Sequence, residues 1–180
     1  MALPGWLATL WMTRFSRPAG ERAIWRHVLR SPPSRILEVG MGTLGRTERL
    51  LHLARGLSGT QPVQLVGIDR FESRTASDPP GVTLKEAHKR LTALAKVQLV
   101  PGNADAALAR VGNHIGVFDL VLVSADEEAR HLDKAWFFIQ RVVRAESTIL
   151  VEPSPRATWR PLEPARLQEL AARPLQRRAA

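Results

Sequence analysis

Apolar residues run almost unbroken through five short stretches: RILEVG (35–40), VQLVGI (63–68), VQLV (97–100), FDLVLV (118–123) and TILVE (148–152). Runs this short, rich in Val, Ile and Leu and with little alternation, suit strands buried on both faces. Between them the period changes. Leu50, Leu51, Ala54 and Leu57 recur at helical spacing, and so do Leu84, Ala87, Leu91 and Leu94. ADAALARV follows the third run and ARHLDKAWFFIQRVV the fourth. Strand alternating with helix predicts an α/β fold: a mostly parallel, doubly wound, Rossmann-like sheet of about five strands between two helical layers. A helix is expected before the sheet over residues 20–29, and one more after it, over roughly 164–172, among the five prolines of residues 153–174. ESRTASDPPGV (72–82) is the one long irregular connection and is expected to be mobile. Trp136, Phe137 and Phe138 sit in a helical run with Ile139 and Val142 and read as core.

This divides the chain into an N-terminal helical flank (1–34), a Rossmann-like core (35–155) and a basic, proline-containing C-terminal tail (156–180). In the first flank Trp6, Leu7, Leu10 and Trp11 share one helical face, which has to cover something: the core, or a second copy in a homodimer. The apolar run there is far short of a membrane span, and the start lacks the basic region and small-residue site of a secretory signal.

Composition changes this picture in two places. The 180 residues include no cysteine, which rules out disulfides and thiolate metal sites and points to an intracellular, cytoplasmic setting. The formal charge of +9 is confined to the flanks: residues 1–35 carry six arginines and one glutamate, residues 156–180 six arginines and two glutamates. The middle balances fourteen basic against fourteen acidic residues. Such flanks can attract RNA, but solvated arginines are the reading adopted, with the last dozen residues expected to be disordered.

In an open parallel sheet, ligands bind beyond the carboxyl ends of the strands. Those ends carry Glu38 to Gly45, Asp69 and Arg70, Asn103 to Asp105, Ser124 to Glu127, and Glu152. Three fingerprints overlap in the first. Gly40-x-Gly42-x-x-Gly45 has the spacing of a dinucleotide turn. Gly40-x4-Gly45-Arg46-Thr47 is a P-loop with arginine in place of lysine. Glu38-x-Gly40-x-Gly42 opens an S-adenosylmethionine loop. Charge separates them. A carboxylate at Glu38 repels the phosphates of a dinucleotide or triphosphate, whereas a cofactor bearing a sulfonium and an ammonium gains from it. Arginine also lacks the reach and geometry of the phosphate-cradling lysine. Asp69 is placed to accept from both ribose hydroxyls, and Asp105 from an adenine amino group or, alternatively, to cap a helix.

With these motifs the chain resembles the class I S-adenosylmethionine-dependent methyltransferases, over residues 35–152. ILEVGMGTLGRT is similar to their first motif, LVGIDRFE to their second-strand acid, and VQLVPGNADAAL to their adenine-contacting turn. The small-molecule branch ends its fourth strand in Asp-Gly-Asp-His or Asp-Ala-Asp-Lys. Here FDLVLVSADEE puts Ser124 at the first Asp and Glu127 at the basic residue. The resemblance implies S-adenosylmethionine as cofactor, bound by Glu38, Gly40, Met41, Gly42, Thr43, Gly45, Asp69, Arg70, Asn103, Ala104, Asp105 and Ser124. It implies methyl transfer to a small-molecule acceptor, O- or N-linked. Of Ser124, Asp126, Glu127 and Glu152, which end the fourth and fifth strands near the methyl group, Asp126 is the first candidate for orienting group or base; the alternative is that it caps the helix beginning near Ala129 or faces solvent. The resemblance also implies a seven-stranded sheet, whose final hairpin the sequence does not reveal. No metal is expected, since Ser124 replaces a carboxylate and Pro153 follows Glu152. His88 and His131 read as surface residues. The rivals are a non-catalytic binding or scaffolding protein of the same fold, an RNA methyltransferase using the basic flanks, and a nicotinamide oxidoreductase. The chain has no Tyr, which removes the Tyr-Lys reductases.

Overall fold

The computed structural model describes residues 17–127 and 129–173. The helix expected around Trp6 to Trp11 lies outside them, as does the tail beyond residue 173. One mixed sheet runs β3-β2-β1-β4-β5-β6, with β1 Arg35–Val39, β2 Gln64–Asp69, β3 Lys96–Pro101, β4 Leu120–Val123, β5 Thr148–Val151 and β6 Arg160–Pro161. The first five strands are parallel, and β6 pairs antiparallel with β5. The chain winds outward from β1 to β3, then returns to the other side of β1 as β4. The order therefore reverses between β1 and β4, where Val39 lies in register with Val123.

Alternate residues feed two cores. Ile36, Leu65, Leu120, Leu122 and Leu150 face one layer, with Trp25 of α1 (Arg22–Arg30), Leu50 and Leu51 of α2 (Gly45–Leu57) and Leu91 of α3 (Leu84–Leu91). Leu37, Val39, Val66, Ile68, Val121 and Val123 face the other. That layer is completed by Leu108 of α4 (Ala104–Val111), by Trp136 and Ile139 of α5 (Ala129–Arg141), and by Leu167 and Leu170 of α6 (Pro164–Ala172). Among the described residues no helix is long and apolar enough to cross a membrane.

The α/β class and all five expected strands are present, and the structure adds to them at one end. Residues 156–172, set apart above as a basic tail, supply β6 and α6 and bury Trp159 to 2% exposure. The same segment meets the N-terminal flank. Trp159 N donates to Gly20 O at 3.2 Å, and a Cβ on Gly20 would lie 2.9 Å from the carbonyl carbon of Ala157, so only glycine fits there. Two arginine-rich segments far apart in sequence thus share one seam. Phe137 also departs from expectation. It is 45% exposed, edge-on to Phe138 and beneath the Arg141 guanidinium, while Trp136 takes the core position.

Candidate functional site

Beyond β1 the chain turns sharply, with φ of +79° at Gly40, +61° at Gly42 and +69° at Leu44, where α2 begins. Gly40 is also a close approach: a Cβ there would lie 2.9 Å from the Cβ of Ser124, at the end of β4. A Cβ on Gly42 would meet Asp126 Oδ2 at 3.4 Å and Pro80 O at 3.7 Å. Gly45 shows neither demand, so the third glycine of the dinucleotide spacing has no conformational role here. The Met41 side chain turns into the core, where a Cβ on Gly67 would lie 2.8 Å from its Cε, and only its backbone remains for a ligand. Thr43 is exposed.

Arg46, the residue in the P-loop lysine position, points backward. Its Nε donates to Glu38 Oε1 at 2.8 Å, its Nη2 to Gly40 O at 2.6 Å, and its guanidinium lies 4.8 Å from the Trp159 ring centroid. Glu38 is fully buried, and its Oε2 has no partner. The carboxylate invoked above to reject phosphate is therefore paired with a cation through one oxygen, and its other acceptor oxygen is open. The loop is poor for phosphate for a second reason: the Gly42 amide is committed to Asp69.

Asp69, 2% exposed at the end of β2, receives four donors. Oδ1 accepts from Phe71 N at 3.1 Å and Arg74 Nε at 3.0 Å; Oδ2 accepts from Gly42 N at 2.9 Å and Arg74 Nη2 at 2.8 Å. Burial pushes this carboxyl up, but the bonds from Arg74, Gly42 and Phe71 more than reverse that and leave it below the usual range. Arg70, grouped above with the ligand residues, instead holds Asp78 of the following loop at 2.7 Å.

At the ends of β3 and β4 the contacts are internal. Asn103 Nδ2 lies 3.1 Å from His131 Nε2, and His131 Nδ1 lies 2.9 Å from Asp105 Oδ1. The set closes when Nδ1 carries the proton, donating to Asp105, while Nε2 accepts from the amide. His131 is thus a link between α4 and α5 rather than a surface residue. Glu127 Oε1 accepts from Ala104 N at 3.2 Å, satisfying an orphan amide at the start of α4. Ser124 Oγ donates to Glu152 Oε2 at 3.1 Å and accepts from Asp126 N at 3.3 Å, while Arg156 N donates to Glu152 Oε1. Burial raises the Asp126 carboxyl, Glu152 and Asp69 add to this, and Arg46 and Arg74 oppose it. Among the described residues no three His, Asp or Glu side chains are grouped to hold a metal ion.

Glu38, Gly40, Gly42, Asp69, Ser124 and Asp126 therefore converge on the crevice between β1 and β4. Asn103, Ala104 and Asp105 form a neighbouring cluster held by Glu127 and His131. Sequence reasoning missed Arg74 and Pro80, since a single arginine and a proline in an aperiodic loop carry no signal. It singled out Glu127 at the end of β4, and the structure puts that carboxylate on the Ala104 amide.

No protein-family model matches the chain, and no curated protein does. Solved structures share its fold. An O-methyltransferase of tomaymycin synthesis from Streptomyces achromogenes, in complex with S-adenosylmethionine, superposes with a TM-score of 0.56 at 18% identity, covering 91% of this chain and 73% of that one. An O-methyltransferase from Bacillus cereus, in complex with S-adenosylhomocysteine, gives 0.56 at 17% identity, covering 81% and 64%. A Podospora anserina methyltransferase bound to S-adenosylhomocysteine gives 0.51 at 18%, covering 95% and 74%. The chain has the fold of the class I methyltransferases.

Proposed function

We propose that this chain binds S-adenosylmethionine where β1, β2 and β4 end, and passes its methyl group to a small-molecule oxygen or nitrogen, in the cytoplasm. The observation that carries this reading is Glu38: a fully buried carboxylate with one oxygen lacking any donor, beside a glycine turn whose own amide is already used. A buried acceptor left without a donor costs about 1–3 kcal/mol, which an incoming ammonium would relieve. The residues fit the cofactor. The turn from Gly40 to Gly45 and Glu38 would hold its amino-acid end, Asp69 its ribose, and the Asn103–Asp105 corner with Ser124 its base and flank. When bound, the cofactor supplies a methyl carbon already activated for displacement.

Asp126 then leans on Gly42 with a carboxyl that can orient the acceptor or take its proton. A raised pKa keeps Asp126 protonated to higher pH than an ordinary aspartate. Turnover should accordingly rise with pH through that raised value. Asp126→Asn should lower kcat by roughly 10²–10⁴ and flatten the acid limb, with cofactor affinity kept. Unchanged kcat in the variant would remove Asp126 from the chemistry.

Cofactor identity has a direct test. S-adenosylhomocysteine should raise the melting temperature, by about 2.7 kcal/mol of added stability at a hundredfold excess over Kd, while NAD and ATP should not. A shift with NAD alone would end this reading. A non-catalytic scaffold of the same fold is the second reading, and the saturation of Asp69 by Arg74 favours it. Binding without turnover across acceptor panels would select it.

A further inference from the structure

The connection after β2 was expected to be loose, and it is tied at every stage. Arg70 Nη1 donates to Asp78 Oδ1, and Asp78 Oδ2 accepts from Thr75 N at 2.6 Å and from the Thr75 hydroxyl at 3.1 Å. Glu72 Oε1 accepts from Leu84 N at 2.8 Å, fixing the far end of the loop to the start of α3. Pro80 O closes over Gly42. At the centre, Arg74 is 10% exposed and sends Nη1 to Pro79 O at 2.7 Å while Nε and Nη2 grip Asp69. The loop lines an open concavity of about 360 Å3, with Phe71, Arg74, Pro80, Val82 and Thr83 among its walls.

An ionised carboxylate offers about four lone-pair positions. Asp69 has four donors, two from backbone amides that define the turn and two from one guanidinium. Nothing is left for a ribose. The guanidinium fork presents two parallel N–H groups to the two carboxylate oxygens, and the 2′,3′-diol of a ribose presents two O–H groups to the same pair. The amide donors cannot leave without dismantling the β1 and β2 ends. Arg74 can, because it reaches Asp69 from a surface loop on a flexible stem.

We propose that residues 70–82 form a strap whose Arg74 stands in the place of the ribose diol, so that a ribosyl ligand binds only by displacing it. This rests on the reading of Asp69 as the ribose acceptor. Free protein is then divided between a closed form that excludes the ligand and an open form that accepts it, and apparent affinity is reduced by the open fraction. The strap thereby sets the cofactor concentration at which the protein responds. It also explains why a fully partnered Asp69 need not mean a dead site.

Two substitutions open the strap from different sides. Arg74→Ala removes the competing fork and leaves both amide donors on Asp69. Gly81→Ala leaves Asp69 and Arg74 in place, but its new Cβ would lie 2.6 Å from Arg74 Cδ and on top of Nε, forcing the guanidinium away. Titration calorimetry should show S-adenosylhomocysteine and adenosine binding at least tenfold more tightly to both variants than to the wild type. 2′-Deoxyadenosine, lacking half of the diol, should bind more weakly than adenosine to each variant, because Asp69 then gains one donor where it gains two from adenosine. Hydrogen exchange of residues 72–82 should be slow in the free wild type and fast in both variants. It should also be fast in the wild type saturated with adenosine.

The failures separate. Exchange in the strap unchanged by both substitutions, or adenosine bound no more tightly by either variant, would overturn the strap whatever the cofactor is. Adenosine gaining while S-adenosylhomocysteine binds none of the three proteins would keep the strap and overturn the methyl-donor reading.

Discussion

Asp69→Ala should destabilise the protein by about 2–6 kcal/mol, since each of two buried amides left without its acceptor costs roughly 1–3 kcal/mol. The substitution orphans the buried amides of Gly42 and Phe71 and releases Arg74, whose flexible stem lets the guanidinium turn to solvent. Against a typical total of 5–15 kcal/mol that is large but survivable, and urea unfolding would measure it. Asp69→Ala/Arg74→Ala should recover little of the loss, since both amides still lack an acceptor and the released arginine already reaches solvent. Asp69→Asn should fall between, keeping an acceptor oxygen without the charge. The pH dependence has a definite sign. The folded-state pKa of Asp69 lies below its unfolded value, so its stabilisation is present above the unfolded pKa and is lost as pH falls through the folded one. The gap between wild type and Asp69→Ala should therefore close in acid. A gap that stays constant down to strongly acidic pH would mean that the charge contributes nothing.

Trp159→Ala should cost about as much, roughly 3–5 kcal/mol, for a different reason. The indole is 2% exposed, packs in the layer of Trp25 and Leu50, and lies under the Arg46 guanidinium. Its removal leaves a cavity and frees Arg46, whose grip on Glu38 and Gly40 shapes the glycine turn. Loss of stability should thus come with weaker cofactor binding. Ending the chain at residue 155 should be worse still, since it also removes Leu167 and Leu170 from the second core. A truncated protein of wild-type stability would show that the segment merely decorates the sheet.

The sheet was legible because strands buried on both faces leave continuous apolar runs, as β1, β2, β4 and β5 do; β3, read in the same way, is an edge strand with Lys96, Gln98 and Pro101 exposed. β6 is two residues long and contains a proline, too short for any periodicity to register. Its position follows from Trp159, a long-range contact no local pattern encodes. Residue types at the strand ends identified the crevice, and Glu38, Gly42, Asp69, Ser124 and Asp126 do meet there. What residue types could not give is pairing. Arg46 with Glu38, Arg74 with Asp69 and His131 with Asp105 are choices among many charges, decided by burial and reach. The charge argument against phosphate shows the limit. It counted Glu38 as a free anion, whereas the structure partners one of its two oxygens.

The short β6 has one more consequence, for what the protein does in a crowd. A sheet edge is a row of unsatisfied amides and carbonyls that invites another chain to add a strand. Here that edge ends in Arg160 and Pro161, so at most one amide donor is on offer, beside a cation. Growth of the sheet from this side is self-terminating. The opposite edge, β3, is six residues long, with Lys96, Gln98 and Pro101 exposed. Among the described residues this is the edge with a full row of backbone groups, and charge placed along β3 is the means to suppress strand-to-strand self-association at high concentration.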